Sequence, residues 1–152
     1  MRRKDREQTE EFGWDVLERC AYGVLSLVTP EGEPYAIPIS PAVHDGAVYF
    51  HSAKHGQKSK IMAANPAACL VCVADDAPLP EEYAMLYASV VVKGTVALVE
   101  DEAERIAGLR AIVAHYAPDH GAKFDEAVAD EGPRTAVWRI TPSEVTAKAR
   151  LA

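Results

Sequence analysis

The chain has 152 residues, 49% of them hydrophobic and 26% charged, which is the composition of one soluble globular domain able to bury a core without a disulfide or metal staple. Sixteen basic against 23 acidic residues leave a formal charge of −7, which argues against nucleic-acid binding, since that calls for a basic face. Three cysteines do not make a secreted disulfide framework, no apolar run is long enough to cross a bilayer, and MRRKDREQTEEF has charge without the apolar stretch of a signal peptide, so a cytoplasmic protein is expected.

In chain order, residues 1–11 read as a solvated arm or a first helical turn, the alternative being a place for Arg2, Arg3, Lys4 and Arg6 at a subunit interface. Phe12, Val16, Leu17 and Cys20 recur at helical spacing and predict a helix to Ala21. Tyr22–Thr29 is rich in strand formers, PEGE at 30–33 is a turn, and Pro34–Val43 resumes as a strand that Pro38 and Pro41 confine to an edge or break at a bulge. Asp45-Gly46 is a hairpin signal leading into strand Ala47–Ser52, giving a three-stranded antiparallel meander. A short helix over Gly56–Asn65 buries Ile61, Met62 and Ala64 and stops at Asn65-Pro66, where asparagine tolerates a left-handed cap. Ala68–Ala74 is a strand and APLPEE at 77–82 a loop; Tyr83–Val99 is too long for one unbroken strand, with Gly94 as its bend. Asp101 with Glu104 caps a helix to Tyr116 whose stripe is Ile106, Leu109, Val113 and Tyr116. A poorly patterned helix at 122–129 precedes strands at Thr135–Ile140 and Val145–Lys148. Six or so strands not regularly alternated with helices exclude a doubly wound parallel sheet and favour a barrel.

Cys69 and Cys72 stand three apart on a strand, on opposite faces with Cα atoms about 10 Å apart, too far for a disulfide. No second CxxC completes a zinc site, and His44, His51 and His55 lack metal-ligand spacing, although one of them beside a cofactor is reasonable. GxSxG, Walker and GxGxxG motifs are absent. The segment that stands out is FHSAKHGQKS, 50–59. It runs from a strand end into a helix start, where free backbone N–H groups and the dipole favour phosphate, and Lys54, Lys58, Lys60, Ser52, Ser59 and Gly56 add cations, hydroxyls and backbone access. An ordinary helix start with solvent-facing lysines is the competing reading.

MRRKDRE, YGVLSLVTPEGEPYAIPIS, VYFHSAKHGQKSKIMAANP and YASVVVKGTVALVED, in this order and over nearly the whole chain, resemble the flavin-binding split-barrel proteins of the pyridoxamine 5'-phosphate oxidase-like superfamily, in their nitroimidazole-resistance (Nim-like) branch. The resemblance implies a mainly β (α+β) fold, a six-stranded antiparallel split β-barrel with flanking helices over residues 1–152, and a homodimer with FMN at the subunit interface. In the oxidase proper a Ser-Arg-Lys at the start of the short helix grips the flavin phosphate; the matching residues are Gly56, Gln57 and Lys58, so Lys58 becomes the main phosphate ligand, with Lys54 or His55 able to compensate for Gln57. Ser52 matches a hydroxyl residue near the phosphate or ribityl chain, while His51, beside it, and Tyr87 are general-acid candidates by their chemistry alone. Ile37, Pro38, Ile39 and Ser40 match the strand whose backbone faces the isoalloxazine edge. Tyr87 and Ser89 match a pair approaching from the other subunit, and Trp138 and Lys148 border the site. The oxidase's arginine-rich C-terminal motif is only echoed by Trp138-Arg139. The implied function is a reductase that passes electrons from reduced flavin to a small planar acceptor such as a 5-nitroimidazole, with no metal, nucleic acid or membrane involved. The alternatives are a flavin-storage protein, a split barrel using deazaflavin or haem, and an interaction domain without cofactor.

Overall fold

The computed structural model describes residues 3–151; Arg2, one of the arginines considered for an interface, lies outside them. The elements in chain order are β1 (Glu7–Gln8), α1 (Glu10–Arg19), β2 (Gly23–Val28), β3 (Pro34–Ile39), β4 (Ala42–His44), β5 (Ala47–Ala53), α2 (Gln57–Ala64), β6 (Ala67–Leu79), β7 (Ala84–Leu98), α3 (Glu102–Tyr116), α4 (Phe124–Glu131) and β8 (Thr135–Arg150). All strand pairs are antiparallel, in the order β3-β2-β6-β7-β8-β5-β4, with β1 added to β8. β3 and β4 are the free ends of this path, so the sheet curls around its core without closing: a split barrel with flanking helices.

Eight strands stand where six or so were expected. The N-terminal arm adds β1, Pro41 separates β3 from β4, and the two short C-terminal strands are one continuous β8. The expected meander does not form: β2 pairs with β3 and β4 with β5, but among the described residues β3 and β4 do not pair, and β5 lies against β8. The segment 77–82 is no loop through its first half, since Ala77–Leu79 pairs with Ala84–Leu86 beyond a bulge at Asp75–Asp76. Pro78 is tolerated because this arm of β6 has only β7 as a neighbour. Asn65 caps α2 from an extended backbone, φ −138°, its side-chain oxygen accepting from Ala67 N at 3.1 Å, so the left-handed cap is not used. Ala64 is exposed and Ser59 takes its place on the buried face; in α3 the deepest positions are Gly108 and Ile112, because Tyr49 and Val137 press on the helix at Gly108.

Alternation along the strands builds the core. Val48 and Phe50 of β5, Leu70 and Cys72 of β6, Val90 and Val92 of β7 and Trp138 and Ile140 of β8 join Val16 and Leu17 of α1 and Ile61 and Met62 of α2 in one cluster. Cys69 points away from this cluster while Cys72 is in it, and all three cysteines are free. α1 starts on Thr9, whose hydroxyl accepts from Phe12 N at 3.2 Å. Gly94 sits at the β7 register shift; a Cβ there would lie 2.1 Å from the Thr141 carbonyl oxygen. The opposite face of β2, β6 and β7 carries a row of valines in register, Val24 beside Val71 beside Val91, with Val73 next to it. Val24 and Val73 remain 38% and 44% exposed.

Candidate functional site

β5 delivers the candidate segment. Its inward face ends on Ser52, 5% exposed, whose hydroxyl accepts from Trp138 Nε1 at 3.1 Å and donates to the Ala53 carbonyl at 2.9 Å. The same carbonyl accepts from Ser59 Oγ at 3.4 Å, so one backbone oxygen ties the strand end to the first turn of α2. Between them the chain turns at Gly56, φ 145°, ψ 175°, a conformation essentially reserved for glycine. No side chain caps α2, so the first-turn N–H groups of Gln57, Lys58 and Ser59 point out of the helix start, with Lys54 and Lys58 nearby in sequence. This is the donor set an oxyanion requires at a helix N-terminus.

Beside this turn lies a cleft of about 800 Å³ between α2, the start of α3, α4 and the start of β8. Its wall is apolar through Val99, Val128, Val137 and Trp138, with Lys54, Ser59, Glu102, Arg105 and Thr135 as its polar side chains. Arg105 clamps Glu102 through Nε at 2.7 Å and Nη2 at 2.9 Å, holding that carboxyl below its usual range; Lys54 adds a smaller push the same way. Arg105 Nη1 is buried without a hydrogen-bond partner, close under Gly132. The sequence reading missed Arg105, because in the sequence it is an ordinary i,i+3 partner of Glu102; only the fold brings Gly132 onto it.

The predicted site residues fall into four groups. Ser52, Gly56, Gln57, Lys58 and Trp138 gather around the α2 start, with His55 in the turn itself. His51 is the strand neighbour of Ser52 and so faces the other way, lining a small cavity with Leu109, Ile112 and Phe124. His51 keeps an exposed edge; partial desolvation against that cavity and, second, the charge of Lys58 lower its imidazole pKa. Ile37, Pro38, Ile39 and Ser40 lie on or just beyond the free edge strand β3, where the missing N–H of Pro38 costs no ladder bond that a further strand would need. Tyr87 and Ser89 lie on the valine side of β7: Ser89 Oγ donates to the Lys148 carbonyl at 3.3 Å, and Lys148 Nζ sits 5.4 Å from the Tyr87 ring centroid. Ser89 is opposite Lys148, ten positions along β8 from Trp138, which is about 30 Å of strand. Among the described residues no group of three or more His, Cys, Asp or Glu side chains is placed to hold a metal, and no helix is long and apolar enough to cross a membrane.

A partly open antiparallel barrel with α2 inserted after its fifth strand defines the class: an α+β split barrel. The chain belongs to the pyridoxamine 5'-phosphate oxidase family, whose model matches residues 9–149. No curated protein matches the chain in sequence. Solved structures similar to it include a protein assigned to 5-nitroimidazole antibiotic resistance in Bacteroides thetaiotaomicron, with 22% identity, TM-score 0.79 and coverage of 93% of this chain and 84% of that one. The flavocytochrome Anf3 of Azotobacter vinelandii shares 22% identity at TM-score 0.83, over 100% of this chain and 72% of that one. An FAD and heme binding protein of Mycobacterium smegmatis shares 20% at TM-score 0.82, over 97% and 74%. At these identities the likeness is one of fold.

Proposed function

We propose that this chain is a flavin-binding protein of the oxidase family, a single domain over residues 1–152, that holds the phosphate of FMN at the start of α2 and serves as a reductase for small planar acceptors such as 5-nitroimidazoles. The observation that carries the reading is the uncapped helix start behind Gly56, with Lys58 in its first turn and the Ser52–Trp138 pair beneath it. The residues fit the group. Lys58 and the N–H groups of Gln57 to Ser59 are donors for a phosphate, Gly56 keeps its approach open, and Trp138 holds Ser52 so that the Ala53 carbonyl fixes the turn. The flavin, when bound, supplies the redox chemistry; the protein supplies binding, orientation and electrostatics. The similar fold of the Bacteroides nitroimidazole-resistance protein supports the acceptor class, and the flavocytochrome and the FAD and heme binding protein support a redox cofactor.

The reading includes a homodimer. Val24, Val71, Val73 and Val91 form an apolar face that a second copy would cover, and that face also carries Tyr87 and Ser89. The test is a titration of the purified full-length chain with FMN and with riboflavin, read by flavin fluorescence and the visible spectrum. FMN is expected to bind more tightly than riboflavin, and Lys58→Ala to weaken FMN by about tenfold or more while leaving riboflavin unchanged. Equal binding of FMN by wild type and Lys58→Ala would remove the phosphate cradle. Absence of flavin binding, with a haem Soret band or deazaflavin absorbance on addition of those cofactors, would replace FMN as the ligand.

A further inference from the structure

α4 is held at its two ends and stands off the barrel between them. Phe124, its first residue, is buried under the Arg110 guanidinium, 4.2 Å from the ring centroid. At the other end the Thr135 hydroxyl donates to the Glu131 carbonyl at 2.9 Å, and Gly132 lies against the Arg105 guanidinium. Between these ties only Val128 is even half-buried. Val128, Gly132 and Thr135 line both the cleft of about 800 Å³ and the cavity of about 180 Å³ that holds His51, so the two spaces adjoin under the helix. A helix laid down for packing alone would close such space, since protein interiors are filled to crystal-like density. The cleft has instead the size of a small-molecule site, about 300–1,000 Å³, and its make-up, apolar walls with a few polar groups.

The charged side chains that line it are Lys54, Glu102 and Arg105. Glu102 and Arg105 are taken up by each other through two hydrogen bonds, and among the described residues Lys54 has no ion pair. Two cations against one carboxylate leave the cleft one positive charge, in a chain whose total is −7. We propose that the cleft under α4 binds a planar aromatic molecule with one negative charge, an aryl carboxylate, its ring among Val99, Val128, Val137 and Trp138 and its carboxylate on Lys54. Against apolar walls that charge pair is worth more than the same pair in open solvent. Binding of the aromatic acid needs no flavin. Only its role rests on the flavin reading: beside FMN held at the α2 start, the cleft would seat the acceptor, an aromatic acid that carries the reducible group.

The experiment is a titration of the full-length chain with naphthoate and, separately, with the neutral naphthylmethanol, read by calorimetry and by the indole N–H resonance of Trp138. Naphthoate is expected to saturate the site and to bind about tenfold more tightly than the alcohol. Lys54→Gln is expected to remove that difference, weakening naphthoate and leaving the alcohol unchanged. Ala129→Phe, at an exposed position lining the cleft, puts a ring into the space and is expected to weaken both ligands while the far-UV circular dichroism stays that of wild type. Naphthoate is also expected to bind when FMN is present in saturating amount. Absence of saturable naphthoate binding, or wild-type affinity in either Lys54→Gln or Ala129→Phe, overturns the site. So does displacement of naphthoate by FMN, because the cleft would then belong to the flavin. Naphthoate bound as expected by a chain that takes up no FMN leaves the site standing and removes the flavin reading alone.

Discussion

Gly56→Ala isolates the backbone geometry on which the proposed phosphate cradle depends. Gly56 has φ 145° and ψ 175°, and an added Cβ would find nothing within 4 Å, so no clash contributes to the cost. What remains is the strain of holding a residue with a Cβ in that region, about 1–3 kcal/mol. At roughly 2–4 °C per kcal/mol for a domain of this size, the midpoint of thermal unfolding falls by roughly 2–12 °C. If the turn relaxes instead, the N–H groups of Gln57 to Ser59 swing away and the loss appears in FMN affinity. Calorimetry and an FMN fluorescence titration on the same preparation read both channels. Gly121→Ala is the control: its Cβ also meets nothing within 4 Å, but its φ is ordinary. It is expected to leave stability unchanged or raise it by about 0.4–1 kcal/mol. A Gly56→Ala protein that melts and binds FMN like wild type would refute both the strained turn and its role in presenting the donors.

Gly94→Ala forces a Cβ onto the Thr141 carbonyl oxygen at 2.1 Å, so denaturant unfolding is expected to show a loss of about 3 kcal/mol or more; a loss under 1 kcal/mol would mean the β7–β8 register shift yields freely. His51 is expected to titrate below the usual histidine value of about 6.5, because of partial desolvation first and Lys58 second; NMR titration in Lys58→Ala should move it partway back up, and no movement would place Lys58 too far to act. Tyr49 and Tyr116 keep their protons more tightly in the fold than outside it, through burial above all, with Glu104 adding to the first and negative charge on Cys20 to the second. Their contribution to stability is complete below the unfolded tyrosine pKa and declines as pH rises from about 10 toward the folded values. Absorbance at the phenolate band should show them ionising above the usual tyrosine value of about 10, with the unfolding midpoint falling over the same alkaline range.

Local signals in the sequence were legible because their causes are local. Asp45-Gly46 does turn the β4–β5 hairpin, with φ 45° and 71° at its two central residues. Asp101 does cap α3, accepting from Glu104 N at 2.8 Å, and Gly94 does mark an irregularity in the long strand. Strand partnership was less legible. β5 finds β8 about ninety residues later, and no residue near Pro41 announces that the hairpin it begins will leave β3 for the far end of the sheet. The proline-rich 77–82 stretch misled for a related reason: a proline excludes a central strand but not a two-stranded arm, and the sequence does not say which one is being built.

The same limit governs the site. Ser52, Gly56 and Lys58 are close in sequence and their placement follows from one strand end and one helix start, so their grouping could be read directly. Trp138 reaches Ser52 through the β5–β8 pairing, which sequence order alone does not reveal; resemblance supplied it. Tyr87 and Ser89 are different again. They lie on the valine face, ten positions along β8 from Trp138, and the resemblance brings them to the site from the other subunit. A dimer packed through Val24, Val71, Val73 and Val91 buries the face they stand on, and it predicts that Val71→Asp, which adds a charge at the centre of that face, yields a monomer by sedimentation. If FMN binding is lost along with the dimer while the monomer keeps its far-UV circular dichroism, the site is shared between copies; if the monomer binds FMN as well as wild type, the α2 cradle is complete within one chain, and Tyr87 and Ser89 belong to other chemistry.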